Sequence, residues 1–244
     1  LKPLRFYKPL INSAAGLFGA RVVSADWGPR GVQATLRRAV ARGFAPALVF
    51  DIGASDGRWT QECLDVLPRA QYLLVDPLER NRPALEALCA RNAAITAFFG
   101  VAGARGGHLT IHEHGDQSSV LASEEFAGTP RSVPATTVDD LFDTLGRPAP
   151  VLLKADVQGY ELDVLKGASR CLPHCEMLIL EVSFRQIYED SPLAHDVIAY
   201  VGERGFRIFD ICSYLQRPAD RDLLQSDLVF VHESSQLLRA HPPR

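Results

Sequence analysis

The chain has 244 residues, 47% of them hydrophobic and 23% charged, with a formal net charge of −3. That length suffices for one large domain with a full core, and the acidic balance argues against nucleic acid as the main partner, because proteins that track phosphates carry a basic excess. No apolar run reaches the roughly 18 residues that would mark a transmembrane helix.

Five scattered cysteines (63, 89, 171, 175 and 212) are an odd number in a chain too large to need disulfide staples. Free thiols in a reducing compartment are expected, and with them a cytoplasmic location. Cys171 and Cys175 could offer two metal ligands, but no second pair follows at zinc spacing, and a structural role is preferred. Lys2, Pro3, Lys8, Pro9 and Asn12 interrupt the first 25 residues, which makes a poor signal peptide.

Taken in order, Pro29 to Gly43 reads as a helix, with Val32, Leu36, Ala39 and Val40 at helical spacing and Gly43 as its stop. Ala47–Asp51 is a short apolar strand ending on a carboxylate, and Arg58–Leu67 a helix. Gln71–Asp76 is a second such strand, Leu78–Arg91 a helix, and Ile95–Val101 a third strand. Near-continuous apolar strands alternating with helices indicate a parallel sheet covered on both faces. The pattern changes from Gly106 to Thr137, where His108–His112 alternates and Gly115, Asp116, Gly128 and Pro130 punctuate turns. A β-hairpin or loop insertion after strand three is expected there. Val138–Leu145 is a short helix, Val151–Asp156 strand four, Glu161–Ser169 a helix, Glu176–Ser183 strand five and Pro192–Arg204 a helix. Phe206–Cys212 and Asp227–His232 close the chain as an antiparallel pair at one sheet edge.

In such a sheet, ligands bind beyond the C-terminal strand ends, at the switch in strand order. Strand one runs into Asp51-Ile-Gly53-Ala54-Ser55-Asp56-Gly57, a G-x-x-x-G turn that differs from the G-x-G-x-x-G of dinucleotide sites. Asp76, at the end of strand two, is placed to accept ribose hydroxyls. Together these features favour a nucleoside cofactor over a plain structural turn.

The set VFDIGASDGRWT (49–60), LLVDPLE (73–79), VPATTVDDLF (133–142), LLKADVQGYELDVLKGA (152–168) and LILEVSF (178–184) resembles the FkbM family of S-adenosylmethionine-dependent methyltransferases, in order, from about residue 46 to 232. The stretch KADVQGYELDVLKGA is its most specific part. The resemblance implies the class I methyltransferase fold, an α/β Rossmann-like architecture with a seven-stranded, mostly parallel sheet and an antiparallel last strand. It also implies O-methylation of a sugar or a polyketide- or glycolipid-type natural product. One departure is Gln158, where many members carry Glu.

Carried over residue by residue, Asp51, Gly53, Ala54, Ser55 and Gly57 would wrap the methionine portion of S-adenosylmethionine. Asp76 would hold the ribose, with Pro77 and Leu78 beside it. Val101 and Ala102 would border the adenine, and Ser118 and Ser119 match a polar pair in the family's insertion. Lys154 and Asp156 share a strand face, and burying both needs a partner or a polar cleft. Asp156 is expected near the transferred methyl as the base or hydroxyl-orienting group, with Lys154 tuning it. A structural Lys154–Asp156 ion pair is the competing reading.

Glu181 poses the same question at the end of strand five, and Glu161 is expected to cap the helix it opens. His108 is a further candidate base. With His112, His114 and Asp116 it could supply a divalent metal site, but a solvated hairpin face is preferred and no metal is assigned. Residues 1–45 are expected to form an N-terminal helical extension and first helix capping the substrate, and residues 46–244 the methyltransferase domain with its insertion at 103–137. The expected partner is a small-molecule hydroxyl compound, and self-association is left open. The alternatives are a nicotinamide-dependent oxidoreductase on the same kind of sheet and a catalytically silent nucleoside-binding protein.

Overall fold

A computed structural model describes residues 31–124 and 127–239. The proposed N-terminal extension therefore lies outside the described residues up to residue 30. The main sheet has seven strands: β1 (Leu48–Ile52), β2 (Gln71–Val75), β3 (Ile95–Phe98), β7 (Val151–Ala155), β8 (Cys175–Ser183), β9 (Phe206–Gln216) and β10 (Leu223–His232). Their spatial order is β3-β2-β1-β7-β8-β10-β9. All pairings from β3 through β8 are parallel, whereas β10 is antiparallel to both neighbours. This is the architecture of the class I methyltransferases, as expected. The order reverses between β1 and β7, so the switch point falls where the Asp51 turn and the Lys154–Asp156 motif emerge side by side.

Strand alternation divides the core into two layers. Leu48, Phe50, Ile52, Leu153 and Ala155 pack on one face, while Val49, Tyr72, Leu74 and Leu152 pack on the other. Burying a side chain such as Phe50 or Leu152 contributes about 1.5–3 kcal/mol. The helices are α1 (Val32–Val40), α2 (Arg58–Leu64), α3 (Arg82–Arg91), α4 (Val138–Thr144), α5 (Glu161–Lys166) and α6 (Ala194–Gly202). Thr137 caps α4 by accepting the Asp140 N–H, and Asp139 in its first turn accepts the backbone amides of Arg170 and Cys171. On the opposite layer Arg38 of α1 pairs with Asp210 of β9.

The third strand departs from expectation. It stops at Phe98, and after Gly100 the chain enters a separate strand, β4 (Val101–Ala102). A side chain at Gly100 would press on the Pro134 carbonyl and the Phe98 ring, so glycine permits this change of sheet. β4 joins β5 (Gly107–Glu113) and β6 (Thr129–Thr136) in a three-stranded sheet ordered β4-β6-β5. The insertion thus contains a hairpin, one of the two forms expected, whose second strand runs through Pro130 and Pro134. Pro130 and Pro134 lie four residues apart, so both missing N–H groups fall on one side of β6. There β4 covers only Ala135 and Thr136. Leu78, Val101, Ile111 and Val133 form a small apolar cluster that fastens this sheet beside the strand ends. The closing pair β9–β10 is longer than expected. Among the described residues no helix is long and apolar enough to cross a membrane.

Candidate active site

The turn after β1 is shaped by left-handed backbone at Gly53 (φ 78°), Ser55 (φ 50°) and Gly57 (φ 79°). A Cβ at Gly53 would overlap the Asp156 carbonyl oxygen, so the ends of β1 and β7 approach this closely only with glycine there. Most of the turn's amides are already engaged, the Asp56 N–H excepted. Gly53 and Ala54 donate to the Val75 carbonyl, Gly57 to the Ala54 carbonyl, Ser55 to Asp76 and Arg58 to Asp56. A pyrophosphate cradle needs those donors free, so the turn suits a phosphate-free ligand.

Asp76 follows β2 and is buried. Its Oδ2 accepts the Ser55 N–H at 2.9 Å, and its Oδ1 accepts the Leu78 N–H and the Asn81 amide, both at 2.9 Å. An ionised carboxylate offers about four acceptor sites, which leaves room on Oδ2 for a hydroxyl. Burial pushes its pKa up, against the pull of these three hydrogen bonds.

A cavity of about 250 Å³ opens over these groups. Its wall gathers Gly53, Ser55, Asp76, Pro77, Leu78, Val101, Ala102, Ser118, Ser119 and Asp156 from the expected set, together with Asn81, Gln158 and Tyr160. Its wall combines polar groups such as Asp76 and Asp156 with apolar ones such as Val101, Ile111 and Val120. Ser119 donates to the Gln158 carbonyl at 2.7 Å and so ties the insertion to the turn after β7, whereas Ser118 donates to the Gly115 carbonyl at 2.7 Å within the insertion.

Asp51, Ala54 and Gly57 do not reach this wall. Asp51 is fully buried, accepts the Thr60 hydroxyl at 2.7 Å and pairs with Lys154 Nζ at 3.1 Å. Ala54 is buried, and a side chain at Gly57 would meet Leu88 and Leu85 of α3. Lys154 also donates to the Gly53 carbonyl at 2.7 Å and lies 3.8 Å from Asp156 Oδ2. Its main partner is therefore Asp51, and the Asp156 contact is secondary. Burial pulls the Lys154 pKa down, but the Asp51 and Asp156 charges outweigh it and hold the ammonium above its ordinary value.

A second cavity, of about 220 Å³, lies beside the first. Trp59, Lys154, Asp156, Glu181, Ser213 and Asp227 line it, with Gly31 and Val32 at its edge. Asp156 lines both cavities. Glu181 Oε2 accepts the Gln225 amide at 2.7 Å and the Gln158 amide at 3.3 Å. Burial, then the charges of Asp156, Glu161 and Asp227, push its pKa well up. Burial does the same to Asp227, opposed by its bond from Ser213. Glu161 accepts the Val157 N–H at 2.9 Å and the Gly159 N–H at 3.3 Å, closing the turn before α5.

His108 stands exposed on β5 opposite Pro134 and lines neither cavity. Among the described residues no group of three or more His, Cys, Asp or Glu is disposed to hold a metal ion, so His108, His112 and His114 offer no donor set. Asn81, Trp59, Tyr188, Gln225 and Asp227 were not singled out from the sequence. Gln225 and Asp227 left a signal: two polar residues two apart in a strand share a face.

Fold and strand-end site together define a class I methyltransferase architecture with a nucleoside-sized cavity at its switch point. The family model of the methyltransferase FkbM domain matches residues 51–208, and the chain belongs to that family. Among solved structures it is similar to methyltransferase FkbM from Methylobacillus flagellatus KT, with 22% identity and a TM-score of 0.50 over 77% of this chain and 44% of that one. The chain thus spans less than half the length of that relative. It is also similar to precorrin-6y C5,15-methyltransferase from Geobacter metallireducens GS-15, at 9% identity and TM-score 0.45, covering 82% and 87% of the two chains. A third likeness is to Aeropyrum pernix fibrillarin in complex with S-adenosyl-L-methionine, at 16% identity and TM-score 0.45, covering 81% and 74%. No curated protein matches the chain in sequence.

Proposed function

We propose that the protein is an S-adenosylmethionine-dependent O-methyltransferase acting on a hydroxyl of a small molecule of sugar or natural-product type. The observation that carries this reading is the position of Asp156, among the described residues the one acidic residue that lines both cavities. The first cavity fits the cofactor by the chemistry of its wall. Asp76 offers an acceptor for ribose hydroxyls, Val101, Ala102 and Ile111 offer apolar surface for a base, and the engaged turn amides ask for no phosphate. When bound, S-adenosylmethionine supplies a methyl group on a sulfonium as the electrophile.

The chain's own residues then do two things. The cavity walls align the acceptor in the second cavity with the first, which is the main contribution expected in a direct displacement. Asp156 would take the proton of an acceptor hydroxyl, leaving that oxygen as the nucleophile for the methyl group that the bound cofactor would supply. Trp59 offers an apolar face beside this route, and Lys154 Nζ lies 3.8 Å from Asp156 Oδ2.

Calorimetric titration with S-adenosylmethionine, followed by a mass-spectrometric methyl-transfer screen over hydroxylated acceptors, tests the reading. Asp156→Asn should lower turnover about 10²–10⁴-fold, the usual worth of a general base, while cofactor affinity stays within a few-fold. Binding of NAD in place of S-adenosylmethionine would overturn the assignment, and full turnover in Asp156→Asn would remove Asp156 from its role.

A further inference from the structure

We propose that Gln158 is the positioning residue of this site: one side-chain amide holds the Asp156 and Glu181 carboxylates together and keeps Asp156 free to take a proton. The inference rests on the role given to Asp156 above.

The backbone gives the first observation. Gln158 has φ 55° and is followed by Gly159 at φ 90°, so two left-handed residues stand in succession directly after the strand-four motif. A non-glycine residue in that region is strained and persists only where its surroundings fix it. Here the Gln158 carbonyl accepts the Ser119 hydroxyl at 2.7 Å, which locks the turn against the insertion.

The side chain gives the second. Nε2 donates to Asp156 Oδ1 at 3.1 Å and to Glu181 Oε2 at 3.3 Å, one N–H for each carboxylate. Oε1 lies 3.0 Å from the hydroxyl of buried Tyr188, which is also 2.9 Å from Gln117 Oε1. The opposite amide orientation would aim a carbonyl at two groups that, once ionised, only accept. The chemistry of the neighbours therefore assigns the nitrogen to the carboxylates.

The surrounding charges show why a donor is needed there. Acids face the site from the turn after β7 (Asp156), α5 (Glu161), β8 (Glu181), β10 (Asp227) and, at the cavity wall, α2 (Glu62). The nearby cation, Lys154, is drawn nearer to Asp51 of β1 than to Asp156. Two close carboxylates without a donor between them share a proton, and a base that already holds a proton accepts no other. The Gln158 amide bridges the pair without adding charge. A glutamate at the same position would add a further carboxylate.

The test uses the full chain labelled with ¹³C at side-chain carboxyl carbons, with Asp156→Asn to assign that resonance. Gln158→Leu should raise the Asp156 midpoint by about one pH unit or more, a tenfold change in proton affinity, and Gln158→Glu should raise it at least as far. S-adenosylhomocysteine affinity, measured by calorimetry, should fall by less than kcat, although Gln158 also lines the first cavity. With the acceptor found by the screen, the acid limb of the kcat–pH profile should move upward by the same amount. An unmoved Asp156 midpoint in Gln158→Glu overturns the inference, and so does a cofactor affinity that falls as much as kcat. If Gln158→Leu does not fold, Gln158→Glu decides alone. A wild-type protein that neither binds the cofactor nor transfers methyl would sink the proposed function, whereas the titration still reads the amide's effect on Asp156.

Discussion

Lys154 shows how an ion pair can support a site from behind. Asp51 sits fully buried beneath the turn after β1 with Thr60 and Lys154 as its partners. Removing one partner of a buried pair leaves an uncompensated charge, which costs roughly 3–5 kcal/mol. Lys154→Met should therefore lower unfolding stability by about that much in urea titrations. The double variant Asp51→Asn, Lys154→Met should recover a good part of it, because the orphaned charge is gone. An additive double variant would show that the two residues act independently. The position of Asp51 at a strand end is plain in the sequence, and so is the rule that strand ends face the ligand. The rule does not say which side chains turn toward it. Asp51 points to the layer of Val49 and Thr60, whereas the cavity takes its polar wall from Gly53, Ser55 and Asp76.

At the scale of elements, the turn between β7 and α5 depends on Glu161. Its carboxyl accepts two amides and is buried, and burial pushes its pKa from the ordinary 4.5 to about 7. A raised acid binds its proton more tightly folded than unfolded, so it favours the folded state at low pH and loses that contribution as pH rises from 4.5 through about 7. Glu181, Asp227 and Asp76 are shifted in the same direction. Glu161→Gln keeps an acceptor oxygen for Val157 and Gly159 but has no proton to lose. Between pH 5 and pH 8 its stability should fall by up to about 3 kcal/mol less than wild type, because each tenfold difference in proton affinity between the folded and unfolded chain is worth roughly 1.4 kcal/mol. Parallel stability curves for the two proteins over that range would refute the assignment. The parallel strands were legible because short apolar runs dominate them and because β2 and β7 run directly into Asp76 and Asp156. The sheet of the insertion was harder to read. Pro130 and Pro134 disguise β6 as a loop, and Gly100 divides what reads as one strand into β3 and β4.

For the whole molecule, strand order matters more than any single residue. Because the order turns back between β1 and β7, segments about a hundred residues apart in sequence converge, and Asp76, Asp156 and Ser119 come to share one wall. Local patterning gives the segments but carries no distances between them, which is why the joint role of Gln158, Glu181 and Tyr188 appears only in the folded chain. A cavity assembled from so many segments exists only in the native state, so a ligand that fills it must stabilise the fold. At a hundred times its dissociation constant such a ligand adds about 2.7 kcal/mol. For a chain of this size that corresponds to a rise in Tm of roughly 5–11 °C. S-adenosylhomocysteine should produce this shift and NAD should produce none, since the turn amides that would bind a pyrophosphate are already bonded to Val75, Ala54 and Asp76. The Asp156→Asn variant should show the same shift as wild type, because its side chain is assigned to the acceptor's proton. If NAD gives the shift instead, the cavity binds a dinucleotide despite its engaged amides, and the methyltransferase reading of this site falls with it.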